Sequence, residues 1–191
     1  EGKKKGLKKT IHSIFFVGTF MSVFDFKPIQ EAAEKLCNEG IDCQFVLCGE
    51  GAYLDDVKKM MNHIPNVIFP GWIDRLMIEA LANQSLASLA PYKNIDNFIN
   101  NTPNKIVDSL MLGKPFLCPL DGEIKNLVEK YEVGFSYSNG ETLANSIINL
   151  IKDKELLNQM SNNAENLYNS EFEFNKVYDS LVKHIENIAK I

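Results

Sequence analysis

Asn100-Asn101-Thr102-Pro103-Asn104-Lys105-Ile106-Val107-Asp108-Ser109-Leu110-Met111-Leu112-Gly113-Lys114-Pro115 lies between two short apolar runs, Leu86–Leu89 and Phe116–Leu117. A loop of Asn, Thr and Pro comes first. Ile106, Val107, Leu110 and Met111 then recur at helical spacing, and Gly113 stops the helix just before Pro115. The stretch therefore reads strand, loop, helix, strand. Its helix opens at Pro103–Lys105, where unpaired backbone N–H groups and the positive end of the helix dipole are expected to face solvent. In α/β proteins that is a place for a phosphate or another anion. Lys105 is expected to add a mobile cation there. Asp108 follows about one turn later, on the same face, where a carboxylate can accept hydrogen bonds from sugar or ribose hydroxyls.

Outward from this stretch, strands and helices alternate. Ile11–Phe20 is an apolar run that reads as a buried parallel strand closed by the turn at Gly18-Thr19. Helix Pro28–Asn38 carries Ile29, Ala32, Ala33 and Leu36 at helical spacing and ends before Gly40. Strand Cys43–Cys48 is followed by Gly49-Glu50-Gly51, whose glycines allow close approach of a ligand to the backbone. Helix Tyr53–Met61, strand Asn66–Phe69 and helix Arg75–Asn83, capped by Asp74, come next. After Phe116–Leu117 the pattern predicts helix Glu123–Tyr131, a short strand Gly134–Tyr137, and three helices: Glu141–Ile151, Lys154–Asn169 and Glu173–Ala189. This is a Rossmann-like α/β pattern, a parallel six-stranded sheet with helices on both faces. Ligands in such sheets bind at the carboxyl ends of the strands. The loops there are Gly18–Phe24, Gly49–Gly51, Pro70–Ile73, Tyr92–Lys105 and Leu120–Glu123, and the fourth is the longest and most polar.

Composition narrows the function. The 191 residues suit one domain or one lobe of a bilobal protein, and 45% hydrophobic residues suffice for a sizeable core. The net charge of −5 argues against general nucleic-acid or anionic-membrane binding. Cys37, Cys43, Cys48 and Cys118 lack zinc-site spacing and read as reduced thiols of a cytoplasmic protein. His12, His63 and His184 stand singly, without metal-ligand spacing. The basic cluster Lys3–Lys9 reads as a solvated linker end over residues 1–10, before a domain over 11–191. No run approaches the length of a membrane span.

The ordered pieces Phe16-Val17-Gly18-Thr19, Glu31-Ala32-Ala33-Glu34-Lys35-Leu36, Phe45-Val46-Leu47-Cys48-Gly49-Glu50-Gly51 and Asn66-Val67-Ile68-Phe69-Pro70-Gly71-Trp72-Ile73 together resemble the C-terminal domain of the group 1 glycosyltransferases. These are retaining enzymes of the GT-B fold that use nucleotide sugars. The resemblance runs from about Ile14 to Ile151 and rests on the order of the pieces. It implies one half of a GT-B fold, binding a nucleoside-diphosphate sugar as donor substrate, with no cofactor and no metal.

With Gly113-Lys114-Pro115 setting the register, Asp108 falls on the family's second conserved-motif glutamate, which holds the ribose hydroxyls. Asn100 falls on the first, beside the donor sugar, where it can hydrogen-bond but carries no charge. Pro103-Asn104-Lys105 resembles a Pro-Ser-Lys subgroup. Lys105 and the adjacent amides are then the diphosphate contact, approached through Asn101, Thr102, Pro103 and Asn104. Trp72 and Ile73 match the position that packs on the base, and Gly49, Glu50 and Gly51 a loop near base and ribose. Gly18 and Thr19 match the end of the first strand. Two cations usual in the family are replaced, an arginine by Thr19 and a lysine by Phe24, and Lys27 lies too far along to stand in for them. On this reading Asn100 and Lys105 carry catalysis.

The acceptor site is expected on an N-terminal GT-B domain of the same polypeptide, so these residues alone should bind donor without turnover. The final helix is expected to pack on that other half, and membrane association only through it. Asn100, Thr19 and Phe24 keep open a second class, a non-catalytic nucleotide-sugar-binding or regulatory module. A sugar-nucleotide epimerase of the same fold is a third.

Overall fold

The computed structural model describes residues 12–189. The expected basic linker end lies outside the described residues. Six strands form one parallel sheet: β1 (His12–Val17), β2 (Cys43–Cys48), β3 (Val67–Gly71), β4 (Ala87–Leu89), β5 (Phe116–Cys118) and β6 (Gly134–Ser136). Their order is β3-β2-β1-β4-β5-β6. The order reverses between β1 and β4, which makes the gap beyond their carboxyl ends the ligand position expected for an open α/β sheet. Pro70 sits within β3 because β3 is an edge strand, where a missing N–H leaves no ladder bond unmade.

The linking helices are α1 (Lys27–Asn38), α2 (Leu54–Met61), α3 (Arg75–Gln84), α4 (Asp96–Ile99), α5 (Asn104–Met111) and α6 (Glu123–Tyr131). Then come α7 (Gly140–Lys152), α8 (Lys154–Leu167), a π-helical turn over Tyr168–Phe172, and α9 (Phe174–Ala189). Asp74 caps α3 as expected, accepting from the Met77 amide at 2.9 Å. Asn139 and Thr142 form an unforeseen capping box at the start of α7.

β1 shows why the sheet is buried on both sides. Ile14 and Phe16 enter the larger core with Ile29 and Ala33 of α1. Phe15 and Val17 join a smaller cluster with Ile73 and Ala82, the latter on α3. A period-two strand apolar on both faces needs helices on both faces. The Cys43, Cys48 and Cys118 thiols lie in this interior, where burial pushes Cys43 and Cys118 up to about 12 and Cys48 up to about 11, so they stay protonated.

Three boundaries depart from expectation. β1 ends at Val17, because Gly18 and Phe20 turn away to meet the backbone after β2. The long polar loop contains α4, whose amide ladder opens from Ile95. The helix expected over Lys154–Asn169 passes into a π turn before α9. The last helix leaves an apolar stripe of Val177, Leu181, Ile185 and Ile188 exposed. No helix among the described residues is long and apolar enough to cross a membrane.

Candidate functional site

A cavity of about 300 Å³ opens at the switch point of the sheet. Its floor is Phe15 and Val17 of β1 with Ser88 and Leu89 of β4. One wall is α3, with Arg75, Ile78 and Glu79. The other is α5, which contributes Lys105, Asp108, Ser109 and Met111. The floor exists because alternate residues of β1 point away from the main core. The α5 wall exists because Ile106 and Leu110 face inward and turn Lys105 and Asp108 toward the opening.

The cation at this site is held in place, which corrects the expectation of a mobile one. The Lys105 Nζ donates to the Val17 carbonyl oxygen. It lies 4.7 Å from the centroid of the Phe16 ring and 5.5 Å from that of Phe24. Gly18 makes room for it, since a Cβ there would collide with the ammonium. An ammonium has three donors, so two remain after Val17 is satisfied. Burial pushes the Lys105 ammonium down to about 8, opposed by the charge of Asp108. Partial burial raises Asp108 in turn, opposed by Lys105. Burial pushes the nearby Tyr92 phenol up to about 12. Among the described residues no side chain caps the start of α5, whose N-cap is Pro103.

Phe24 is a core residue rather than a site residue. Its ring packs edge-on against Phe16 at 5.3 Å and tilted against Tyr92 at 4.9 Å. Where the resemblance led one to expect a lysine after the first strand, the chain has an aromatic face, and Lys105 reaches across from α5 to sit over it. The quadrupole of that face favours a cation there.

Other expected site residues are placed differently. Asn100 ends α4 and is exposed, away from the cavity lining. Asn101 bonds through its side-chain amide to the Asn97 carbonyl at 2.8 Å. Thr102 and Asn104 are exposed beside Pro103. Gly49 and Gly51 do permit close backbone approach, but what approaches is the protein: a Cβ on Gly49 would meet the Gly18 carbonyl, and one on Gly51 the Phe20 backbone. The Phe20 amide donates to the Glu50 carbonyl at 2.7 Å across the same junction. The Glu50 and Thr19 side chains are exposed. Trp72 is 69% exposed and lies outside the lining, whereas Ile73 is buried under α3.

Four lining residues carry no sequence signal strong enough to single them out. Ser88 and Ser109 join by a 2.5 Å hydroxyl contact, and Ser109 also donates to the Lys105 carbonyl at 2.6 Å. This short relay ties β4 to α5 and fixes the turn that bears Lys105. Arg75 and Glu79 pair at 3.0 Å on the exposed rim of α3. The i,i+4 spacing was readable in the sequence, but so is that of many solvated helix faces.

A sequence model described as "Glycosyl transferases group 1" matches residues 1–167. The Alpha-D-kanosaminyltransferase of Streptomyces kanamyceticus is 23% identical over 174 residues, which cover 88% of this chain and 44% of that protein. The chain thus spans less than half the length of this relative. Among solved structures, Anabaena Alr3699/HepE in complex with UDP superposes with a TM-score of 0.75 at 16% identity, covering 93% of this chain and 49% of that one. The C-terminal domain of a glycosyl transferase group 1 family protein (LpcC) from Francisella tularensis gives 0.68 at 17% identity, covering 85% and 87%.

Proposed function

This chain belongs to the glycosyl transferases group 1 family, and on that premise we propose that it is the donor-binding lobe of a glycosyltransferase, holding a nucleoside-diphosphate sugar in the cavity between α3 and α5. One observation carries the reading: Lys105 and Asp108, one turn apart, both line a cavity at the sheet's switch point. The nucleoside enters between β1, β4 and α3. Asp108 accepts hydrogen bonds from the ribose hydroxyls. The diphosphate lies toward Lys105 and the open end of α5. In the transfer step the bond between the anomeric carbon and the diphosphate oxygen breaks, and negative charge grows on the leaving diphosphate. A cation already fixed by Val17 and two aromatic rings meets that charge without reorganising. The acceptor belongs to an N-terminal lobe, and the apolar stripe of α9 suits packing against it.

Two measurements test this. Isothermal titration of Asp108→Asn is expected to show roughly tenfold weaker binding of both uridine and UDP, or of the guanosine pair if that base is preferred, because a charge-assisted bond to a ribose hydroxyl is lost. The 2′,3′-dideoxy nucleotide should bind wild type and Asp108→Asn alike. Equal loss for ribose and dideoxyribose ligands would remove Asp108 from the ribose. Affinity for the diphosphate is also expected to depend on pH. Bound diphosphate favours the protonated ammonium, so the Lys105 contribution to its affinity is flat below about pH 8 and falls by up to tenfold per unit above it. A flat profile through pH 10 would exclude Lys105 as the diphosphate cation.

A second reading, a non-catalytic module that binds the nucleotide sugar, is favoured by the placement of Asn100 outside the cavity and by its lack of charge. A product assay on the two-lobed polypeptide separates it from the enzyme, and also from an epimerase, which would convert donor without acceptor.

A further inference from the structure

Asn139-Gly140 is the one Asn-Gly step in the 191 residues. At such a step the asparagine side chain is prone to lose its amide, because glycine has no Cβ to shield the nitrogen that attacks it. The step joins β6 to α7 and lies outside the lining of the cavity between α3 and α5.

Packing explains the glycine. A Cβ on Gly140 would sit 2.2 Å from the Glu31 Cβ and 3.0 Å from the Ala32 nitrogen, both on α1. Capping explains the asparagine. Its Oδ1 accepts from the Thr142 amide at 2.9 Å, and the Thr142 Oγ1 accepts from the Asn139 amide at 3.2 Å and from the Ser138 amide at 3.0 Å. Serine or aspartate would cap as well. Two sound local choices thus set a chemically labile pair side by side.

The same contacts restrain its chemistry. Loss of the side-chain amide requires the Gly140 nitrogen, stripped of its proton, to reach the Asn139 Cγ. The Gly140 N–H instead donates to the Glu31 Oε2 at 3.2 Å, and a negative charge there disfavours loss of that proton. The capping box holds the Asn139 side chain on the Thr142 amide, with the Asn139 backbone extended at φ −158° and ψ 178°. Asn139 is itself exposed, so water reaches it once this turn opens.

We propose that Asn139 is a deamidation site gated by the first turn of α7, closed while the capping box and the Glu31 bond are made and open when that turn frays. The Gly140 nitrogen forms a bond to the Asn139 Cγ, the Cγ–Nδ2 bond breaks, and the side-chain nitrogen leaves as ammonia with the proton from Gly140. Water then opens the cyclic imide at either carbonyl. One product is aspartate, itself a good cap. The other is isoaspartate, whose main chain runs through Cβ and Cγ, so that both the cap and the register of Gly140 against Glu31 are lost. The inference is independent of what the cavity between α3 and α5 binds.

Peptide mapping by mass spectrometry after incubation at mildly alkaline pH tests it. Asn139 in the folded chain is expected to deamidate at least roughly tenfold more slowly than in the same chain held in denaturant. Thr142→Ala, which removes one half of the capping box, is expected to speed the folded-state reaction about fivefold. Glu31→Gln, which keeps an acceptor but not the charge, should also speed it. Gly71→Ala, on the opposite edge strand of the sheet from β6, is expected to leave the rate unchanged, which separates fraying of α7 from global unfolding. Asn139→Asp should melt like wild type, whereas aged chain enriched in isoaspartate should melt lower. Equal rates in folded and unfolded chain, either α7 variant reacting at the wild-type rate, or Gly71→Ala accelerating as much as Thr142→Ala would each overturn the proposal.

Discussion

Lys105→Met is expected to lower affinity for UDP or GDP roughly 10- to 100-fold while changing affinity for the free nucleoside by less than about threefold, since a charge-assisted bond in a partly desolvated site is worth a few kcal/mol. The reason is positional. The ammonium is anchored over Phe16 and Phe24 by the Val17 carbonyl, at the start of α5 and at the edge of the cavity. Methionine fills the same space without charge. Stability should move the other way. Lys105 titrates at a lower pH in the folded chain than in the unfolded one. Between about pH 8 and its unfolded value the unfolded state binds the extra proton, so the Lys105 contribution to stability rises with pH over that window and is least favourable below it. Lys105→Met should therefore cost little in melting temperature at neutral pH, and its deficit relative to wild type should widen as pH rises above about 8. Titration calorimetry and thermal melts at two pH values read both effects. Nucleoside and diphosphate affinities falling together would mean that the lysine supports the cavity rather than the phosphate.

Gly49→Ala is expected to destabilise the chain by about 3 kcal/mol or more, because it combines a backbone clash with a positive φ that non-glycine residues adopt at a cost of order 1–3 kcal/mol. Gly49 has φ of +130°, its amide donates to the Gly71 carbonyl at 2.7 Å, and a Cβ would strike the Gly18 carbonyl. Neither the Gly18 nor the Gly71 strand end can retreat, since both continue into the sheet. Gly71 serves as the control. Its φ is +85°, but nothing lies within 4 Å of the Cβ position, so Gly71→Ala should cost about 1 kcal/mol from conformation alone. For a chain of this length the two should differ by several degrees in melting temperature. A Gly49→Ala chain that melts like Gly71→Ala but has lost nucleotide binding would return Gly49 to ligand contact.

Much of the site was legible and some was not, for reasons visible in particular residues. Lys105 and Asp108 could be placed on one face because helical spacing and the stop at Gly113 leave a single register. Both line the cavity. Ser88 and Ser109 could not be singled out, because a serine in a short strand and a serine in a helix give no hint that they will touch. Gly49 and Gly51 signalled close approach, and what the structure brings close is the backbone of Gly18 and Phe20: glycine reports that something comes near, not what. Trp72 was expected on the base from register alone; its ring is 69% exposed and lies outside the cavity lining.

The alternation of buried strands and amphipathic helices, the stops at glycine and proline, and the face shared by Lys105 and Asp108 follow from local chemistry. A strand apolar on both faces or a helix with one apolar stripe has few ways to be buried. Tertiary structure alone decided where the Lys105 ammonium rests, which backbone fills the space above Gly49, and that the buried Tyr137 hydroxyl is left without a partner among the described residues. Those outcomes depend on groups far apart in the chain, such as Val17 and Lys105, whose meeting is set by sheet order and packing.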